Sequence, residues 1–430
     1  MKIQYPKVKS ILPLSFSQYI SLPLYEENFC GYLRFGCKLS VAIMMITLLS
    51  CNQFSIAQSE PLRVQMESMD AVAIARLVAG TQTDDEAEFE LMKIVRGHDL
   101  IQLNQKVRVN YIGKNLGGIQ FLIMGSAKPE LLWSAPLPAS EKAIAYFDAI
   151  LQLPTNPTKR LEFYLDYLEY EEKLLARDAF AELATSSYEQ WVKLKPKLNL
   201  NREKLIEWVS DAKVSIFRKQ LYLVLLGVCG IHEDRKLIET MMRSDDPKTR
   251  NCLSAMIVCY VSICGEGGLN LIDELITGNG ECDFITLYGY CRALRFLGSS
   301  EGIVGEDRVV KSLRLISQHR NAIDVADQVI PLLIRHEDWS QLDCVVALFK
   351  AADKDHQWVR PVLFNYLRVC PKPETLALIE ELKEIDPKAF HRTLKFFGGV
   401  GPQKRIVQCT NSWDLWDIFA PTSRDWDMYD

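Results

Sequence analysis

Between Cys51 and Cys229 the chain contains no cysteine, so no disulfide framework can staple its first half. Histidine is also scarce. There are six in 430 residues, none in an HExxH pairing, and no CxxC pair accompanies them, which leaves out the usual zinc-ligand spacings. Phosphate-cradling glycines are missing too: Gly265, Gly267 and Gly268 lack a following Lys-Ser/Thr, and Gly113-Lys114 has no second glycine at P-loop spacing. No G-x-S-x-G elbow is expected. Positive charge is in short supply. Residues 1–57 hold five Lys or Arg and two Asp or Glu, so the remaining 45 cations and 53 acids sum to −8. A phosphate backbone is poorly served by that balance, and nucleic acid is not expected as a partner. No cofactor and no metal is expected either.

What is present is ordinary globular material, 48% hydrophobic and 24% charged, with length for two or three domains. Residues 1–57 read as an address rather than as structure. Arg34 and Lys38 precede an apolar run over 39–49, and the small residues Ser55 and Ala57 follow at signal-peptidase spacing, which predicts cleavage before Gln58. That run is too short for a transmembrane helix, which needs about 20 residues. Leu48-Leu49-Ser50-Cys51 gives a competing reading, a lipobox with Cys51 as the lipidated residue, and an uncleaved anchor is a third. The expected location is outside the cytoplasm, in periplasm, envelope or medium, with membrane contact only through such an anchor.

Over residues 63–135 the hydrophobic period is two. Val72, Ile74, Arg76 and Val78 alternate with Ala71, Ala73, Ala75 and Leu77, and Phe89, Leu91, Lys93 and Val95 alternate with Glu90, Met92 and Ile94. Val107, Val109 and Tyr111, then Ile119, Phe121 and Ile123, complete four strand-length runs, punctuated at 81–85, at Gly97-His98-Asp99 and at 114–118. Strands without intervening helices predict a small antiparallel meander or barrel. Residues 136–158 form a connector. Pro129, Pro136 and Pro138 on one side, with Pro154 and Pro157 on the other, bracket an amphipathic helix that Ser140 is placed to cap.

Residues 159–397 are helical in pattern, and one signature returns: an arginine with apolar residues three, six and seven positions later. It occurs at Arg177 (Phe180, Leu183, Ala184), Arg218 (Leu221, Val224, Leu225), Arg250 (Leu253, Met256, Ile257) and Arg360 (Leu363, Tyr366, Leu367). These offsets put the apolar residues on one helix face with the arginine at its start. Gly227 and Gly230 are read as caps ending the Arg218 helix. Helix pairs of about 35 to 45 residues, about six in all, are predicted.

This region resembles HEAT-type and armadillo-type repeat families, which favour an aspartate in the loop within a repeat and an arginine early in the second helix. The matching residues are Arg177, Arg218, Arg250 and Arg360, with Asp245-Asp246 before Arg250 and Asp353 and Asp355 before Arg360. The resemblance implies a mainly α fold, an α-α solenoid preceded by the small β module, with a ladder of Asp–Arg contacts aligning its repeats. More weakly, the "FELMKIVRG", "VRVNYIG" and "GGIQFLIMG" runs are similar to the OB-type barrel of netrin-like modules.

Candidate chemistry is thin. His232-Glu233-Asp234 and His336-Glu337-Asp338 echo each other as either a metal or acid/base cluster or carboxylates capping the helices they open. Cys282, between Glu281 and Asp283, is either a thiolate activated by a helix terminus or an idle buried cysteine. Nine cysteines follow Ala57, with Cys252 and Cys259 seven apart, and reduced, packed thiols are expected. Residues 398–430 form an acidic aromatic tail carrying Trp413-Asp414, Trp416-Asp417, Trp426-Asp427 and Tyr429-Asp430. It is expected either to dock in a groove, on a partner or on the chain's own helices, or to pack locally or stay mobile. The whole reads as a binding scaffold, not an enzyme, that holds a protein or peptide on the concave face of residues 159–397. The alternatives are an envelope enzyme with its site in the β module or at its junction with the helices, and a structural envelope component.

Overall fold

A computed structural model describes residues 60–113, 119–127, 129–278, 282–299 and 303–398. The segment expected to be a signal, with Arg34, Lys38 and Cys51, the punctuation expected at 114–118, Glu281, and the Trp-Asp tail lie outside the described residues. The chain enters through a short helix, α1 (Leu62–Ser68), at the start of the segment expected to be β. Leu62 and Met66 stand four apart on one face of it, and both are buried.

Six strands follow: β1 (Ala71–Leu77), β2 (Glu86–Arg96), β3 (Lys106–Asn110), β4 (Gln120–Ala127), β5 (Leu131–Trp133) and β6 (Leu137–Ala139). Their pairings are antiparallel in the order β3-β2-β1-β4-β5, with β6 also on β4. The sheet is not a plain meander, because β4 returns to lie beside β1. β5 lies within the expected β module but beyond its four expected runs, while β6 occupies ground expected to be connector, and Pro138 is tolerated because it sits in a short edge strand.

β3 and β4 are separated by β2 and β1, about 14 Å in a flat sheet. Yet Tyr111, just past β3, and Phe121 of β4 have ring centroids 5.6 Å apart. The sheet is therefore curled nearly into a barrel. Register shifts at Val72/Ala73 and Ile74/Ala75 in the β1–β2 pairing sharpen that coiling. Ala71, Ala73 and Ala75 keep the central strand slim, which leaves room for Phe89 to meet Tyr111 and Phe121 edge to face. Gly97 ends β2 at φ +83, and a Cβ there would stand 2.5 Å from the Asp70 carbonyl oxygen, so only glycine fits.

The opposite sheet face, with Val72, Ile74, Leu122 and Met124, joins Leu62, Met66 and α2 (Glu141–Leu151) in a core continuous with the helices. The cap expected at Ser140 is present, its Oγ accepting from the Ala143 N–H at 3.1 Å. The next helices are α3 (Pro157–Leu165), α4 (Lys173–Ala184), α5 (Tyr188–Lys193), α6 (Lys195–Ser210), α7 (Ile216–Cys229), α8 (Arg235–Met242), α9 (Pro247–Arg250) and α10 (Leu253–Cys264). After them come α11 (Leu269–Thr277), α12 (Phe284–Leu297), α13 (Glu306–Ser317), α14 (Ala326–Arg335), α15 (Leu342–Ala351), α16 (Arg360–Val369), α17 (Glu374–Ile385) and α18 (Pro387–Phe397). The chain is mainly α with a small antiparallel sheet at its start. None of the described helices is long and apolar enough to cross a membrane.

One row runs through this region: α7 packs on α10, α10 on α12, α12 on α14, α14 on α16, and α16 on α18. Between successive members the chain places α8 with the one-turn α9, then α11, α13, α15 and α17. The row does not bury a single face throughout. Residues 220–229 of α7 and 253–261 of α10 are buried on every side. The reason is partly α5, which packs on α7 and sends Tyr188 to within 5.5 Å of Phe296 on α12, closing over the row. Gly227, expected to end a helix, lies inside α7; a Cβ there would stand 3.0 Å from Cys259 Cα, so it permits close approach of α7 and α10.

Candidate functional site

The four signature arginines do different things. Arg250 donates from Nη2 to Asp283 Oδ1 at 2.5 Å and to Thr286 Oγ1 at 2.6 Å, and Asp283 is the N-cap of α12. Arg360 does the same one end further on, donating from Nη1 at 3.0 Å to Asp386, the N-cap of α18. Arg360 therefore clamps its own helix to the next member of the row, whereas Arg250, the last residue of α9, ties that short helix ahead of α10 to α12. Arg218 reaches backwards, donating to Glu169 Oε1 at 2.8 Å and the Ala176 carbonyl at 2.9 Å while lying 5.5 Å over the Phe180 ring. Arg177 is the fifth residue of α4, and among the described residues it makes no hydrogen bond or ion pair; its charge bears on Asp178. The aspartates preceding the arginines are engaged elsewhere: Asp246 caps α9 through the Thr249 N–H, and Asp353 meets His356 at 2.8 Å.

The echoed His-Glu-Asp triplets resolve into a second clamp. Asp234 is 5% exposed and receives Arg202 from α6 as a fork, Nε to Oδ2 at 2.8 Å with Nη2 on Oδ1. Asp338 receives Arg314 from α13 in the same manner, at 2.9 and 2.8 Å. Burial works against ionising Asp338, but this fork, with Ser340, outweighs it and holds the carboxyl below its ordinary range. His336 does not open a helix; it caps the end of α14, and Glu337 follows at φ +51. Arg202 and Arg314 escaped notice because their partners lie 32 and 24 residues away, and the repeated triplet was the only signal. Arg202→Ala should cost about 2 kcal/mol by stranding a buried carboxylate. Urea unfolding with an unchanged slope would check it, and a shift below about 0.5 kcal/mol would mean that Asp234 finds water instead.

Cys282 is not activated. Its Sγ meets the Leu275 carbonyl at 3.2 Å, and burial, followed by the Asp283 charge, raises its pKa. Burial likewise pushes Cys252 and Cys291 up to about 12. The eight described cysteines are free thiols. No three His, Cys, Asp or Glu side chains converge as a metal site among the described residues. The letters G-x-S-x-G do occur once, at Gly298-Ser299-Ser300-Glu301-Gly302, contrary to the expected absence. Gly298 follows helix α12, however, and not a strand, so the strained strand-to-helix turn of an elbow is not its context.

At the junction of sheet and helices lie two buried carboxylates. Asp178 accepts from the Leu62 N–H at 2.6 Å and from the Tyr146 hydroxyl at 2.7 Å. Burial pushes its pKa up to about 6, against the lowering effect of those two donors. One turn on, Glu182 meets Arg63 of α1 at 3.1 Å and Arg160 of α3 at 3.7 Å. Perturbed carboxyls are a common mark of active sites. Here one Asp178 oxygen holds α1 and the other holds α2 against α4, which makes the pair a latch. Nearby, a broad depression of about 560 Å³ is lined by Ser140, Glu141, Lys142, Glu171 and Glu172, and it is crossed by a Lys142–Glu171 ion pair at 2.5 Å.

The remaining candidate is a strip on the row itself. Phe284, Tyr288, Arg292 and Arg295 fall at i, i+4, i+8 and i+11 along α12, which places them on one helix face. The rings of Phe284 and Tyr288 stand 5.4 Å apart, and the Arg292 guanidinium lies 5.5 Å over Tyr288. Arg295 continues the strip onto α14 by donating to Gln328 Oε1 at 2.9 Å, and Gln328 in turn donates to Asp327. Burial raises the Asp327 carboxyl pKa, and the nearby Arg295 charge opposes that rise. Exposed Pro331 and half-buried Arg335 follow on α14, while Tyr188 stands at the other side against Phe296. Flat rings and planar guanidinium groups in one line can stack on aromatic side chains and fork to carboxylates. No protein-family model matches the chain, and neither a curated protein nor a solved structure matches it.

Proposed function

We propose that this chain is an exported binding scaffold, a HEAT-like array of helix pairs carrying a small β module, which holds a protein or peptide segment. The observation that carries the reading is the aromatic and arginine strip of α12 and α14, whose groups are suited to gripping a ligand by stacking and by charge-assisted hydrogen bonds. The clamps at Arg202, Arg250, Arg314 and Arg360 support it. They tie each layer to the next, so the strip sits on a platform that does not have to be ordered at the moment of binding. The ligand-holding face is proposed from α12 onwards within residues 159–397, since α5 packs on α7 ahead of it. The ligand selected is a segment rich in aromatic and acidic side chains.

Full-length chain, immobilised, should retain a discrete protein from the exported fraction of its host. Arg335→Glu should weaken that retention about ten-fold, the size expected for a charged contact in a recognition patch, with helical content unchanged by circular dichroism. Turnover of an ester, peptide or phosphate substrate by the purified chain, lost on changing Cys282, His232 or His336, would replace this reading with an enzymatic one.

A further inference from the structure

The chain itself contains a segment of the chemistry this strip selects. Residues 413–419 read Trp-Asp-Leu-Trp-Asp-Ile-Phe, and from Trp413 to the end the chain holds five aspartates against the single cation Arg424. Trp413 and Trp416 are three apart, as are Asp414 and Asp417, so one helical turn would present two rings with two carboxylates beside them. The strip carries two half-buried rings, Phe284 and Tyr288, followed by buried Arg292 and half-buried Arg295, with half-buried Arg335 on the next helix of the row.

We propose that residues 413–419 dock on the aromatic and arginine strip of α12 and α14 in the same chain, so that the recognition face is self-occupied until a partner of like chemistry displaces the tail. This inference rests on the reading of the strip as a recognition face. The chain leaves α18 at Gly398, three packing steps along the row from α12 by way of α16 and α14. At 8 to 10 Å per helix packing this is about 30 Å. The 15 residues from Gly398 to Trp413 can span about 50 Å when extended, so the tail reaches without strain. Once there, tryptophan stacking on guanidinium groups and forked Arg–Asp pairs act at an effective concentration that a free peptide would need to be millimolar to match.

The test uses the full chain with a photoreactive benzoylphenylalanine in place of Tyr288. Illumination should link position 288 to residues 411–421 within one chain. Asp414→Arg together with Asp417→Arg should lower the yield about ten-fold, and raising salt to about 0.5 M should lower it as well. A link to another part of the chain, a yield indifferent to the two reversals, or a product of doubled mass showing that a second copy supplies the tail would each overturn the proposal. A second measurement stands apart from the photoreactive residue. A labelled peptide of residues 411–421 should bind the full chain bearing Trp413→Ser and Trp416→Ser about ten-fold tighter than the unaltered chain, where the tail competes. Equal affinities would overturn it. Retention of an exported partner through Arg335 without any tail cross-link would sink the self-docking alone. A tail cross-link with no partner retained, even by the Trp413→Ser, Trp416→Ser chain, would sink the scaffold alone.

Discussion

Leu253→Asp should cost about 4 kcal/mol, the scale of stranding a carboxylate in an apolar core. Leu253 opens α10, is 5% exposed, and packs against Gly289 of α12, where an added Cβ would stand 3.3 Å from its Cδ2. The α10 residues that follow it, Ser254, Ala255 and Met256, carry no positive charge. Because α10 packs on α7, α8 and α12, the damage should be centred there. Hydrogen exchange should speed up across residues 232–297 while amides of β1 and β4, at the far end of the core, keep their protection. Unchanged protection over 232–264 would mean that Leu253 is not a core residue of its layer. Uniform acceleration through the β1 amides would mean that array and sheet open as one unit.

Asp178→Asn should raise stability at alkaline pH and lose that advantage in acid. Asp178 has an ordinary carboxyl value of 3.8 and is raised to about 6 in the fold, chiefly by burial. A raised acid favours the folded state when protonated, so its contribution is fully present below about pH 4 and is lost as pH rises through 6. Above that, folding must hold a buried carboxylate, at about 3 kcal/mol for a shift of this size. Asparagine keeps an oxygen for the Leu62 N–H and carries no charge. Its melting temperature should therefore exceed that of the unaltered chain at pH 8, with the gap closing between pH 6 and pH 4. Glu182, Arg63, Arg160 and Arg177 are present in both chains. A gap that widens toward acid would show that Leu62 and Tyr146 hold the ionised form without penalty.

What was legible in the sequence was local. A period of two over Ala71–Leu77 and a period near 3.6 after Arg218, Arg250 and Arg360 are written in consecutive residues, because each backbone conformation dictates which neighbours share a face. Strands β1 to β4, the capped α2 and the run of helices followed from that. Even the all-round burial of α7 had a trace, in the unbroken apolar run LYLVLLGVC. The β5 and β6 strands left little: three residues each, one holding a proline, they exist because β4 offers them an edge. The site depended still more on tertiary structure. Arg202 finds Asp234, Arg250 finds Asp283 and Arg360 finds Asp386 across intervals of 32, 33 and 26 residues, and no fixed spacing encodes a pair set by how one layer stacks on another. The i, i+4, i+8 placing of Phe284, Tyr288 and Arg292 was there to be read as one face of a helix. Only the packing of α10 and α14 against α12, and of α5 over α7, decided which of its faces lie against neighbouring helices.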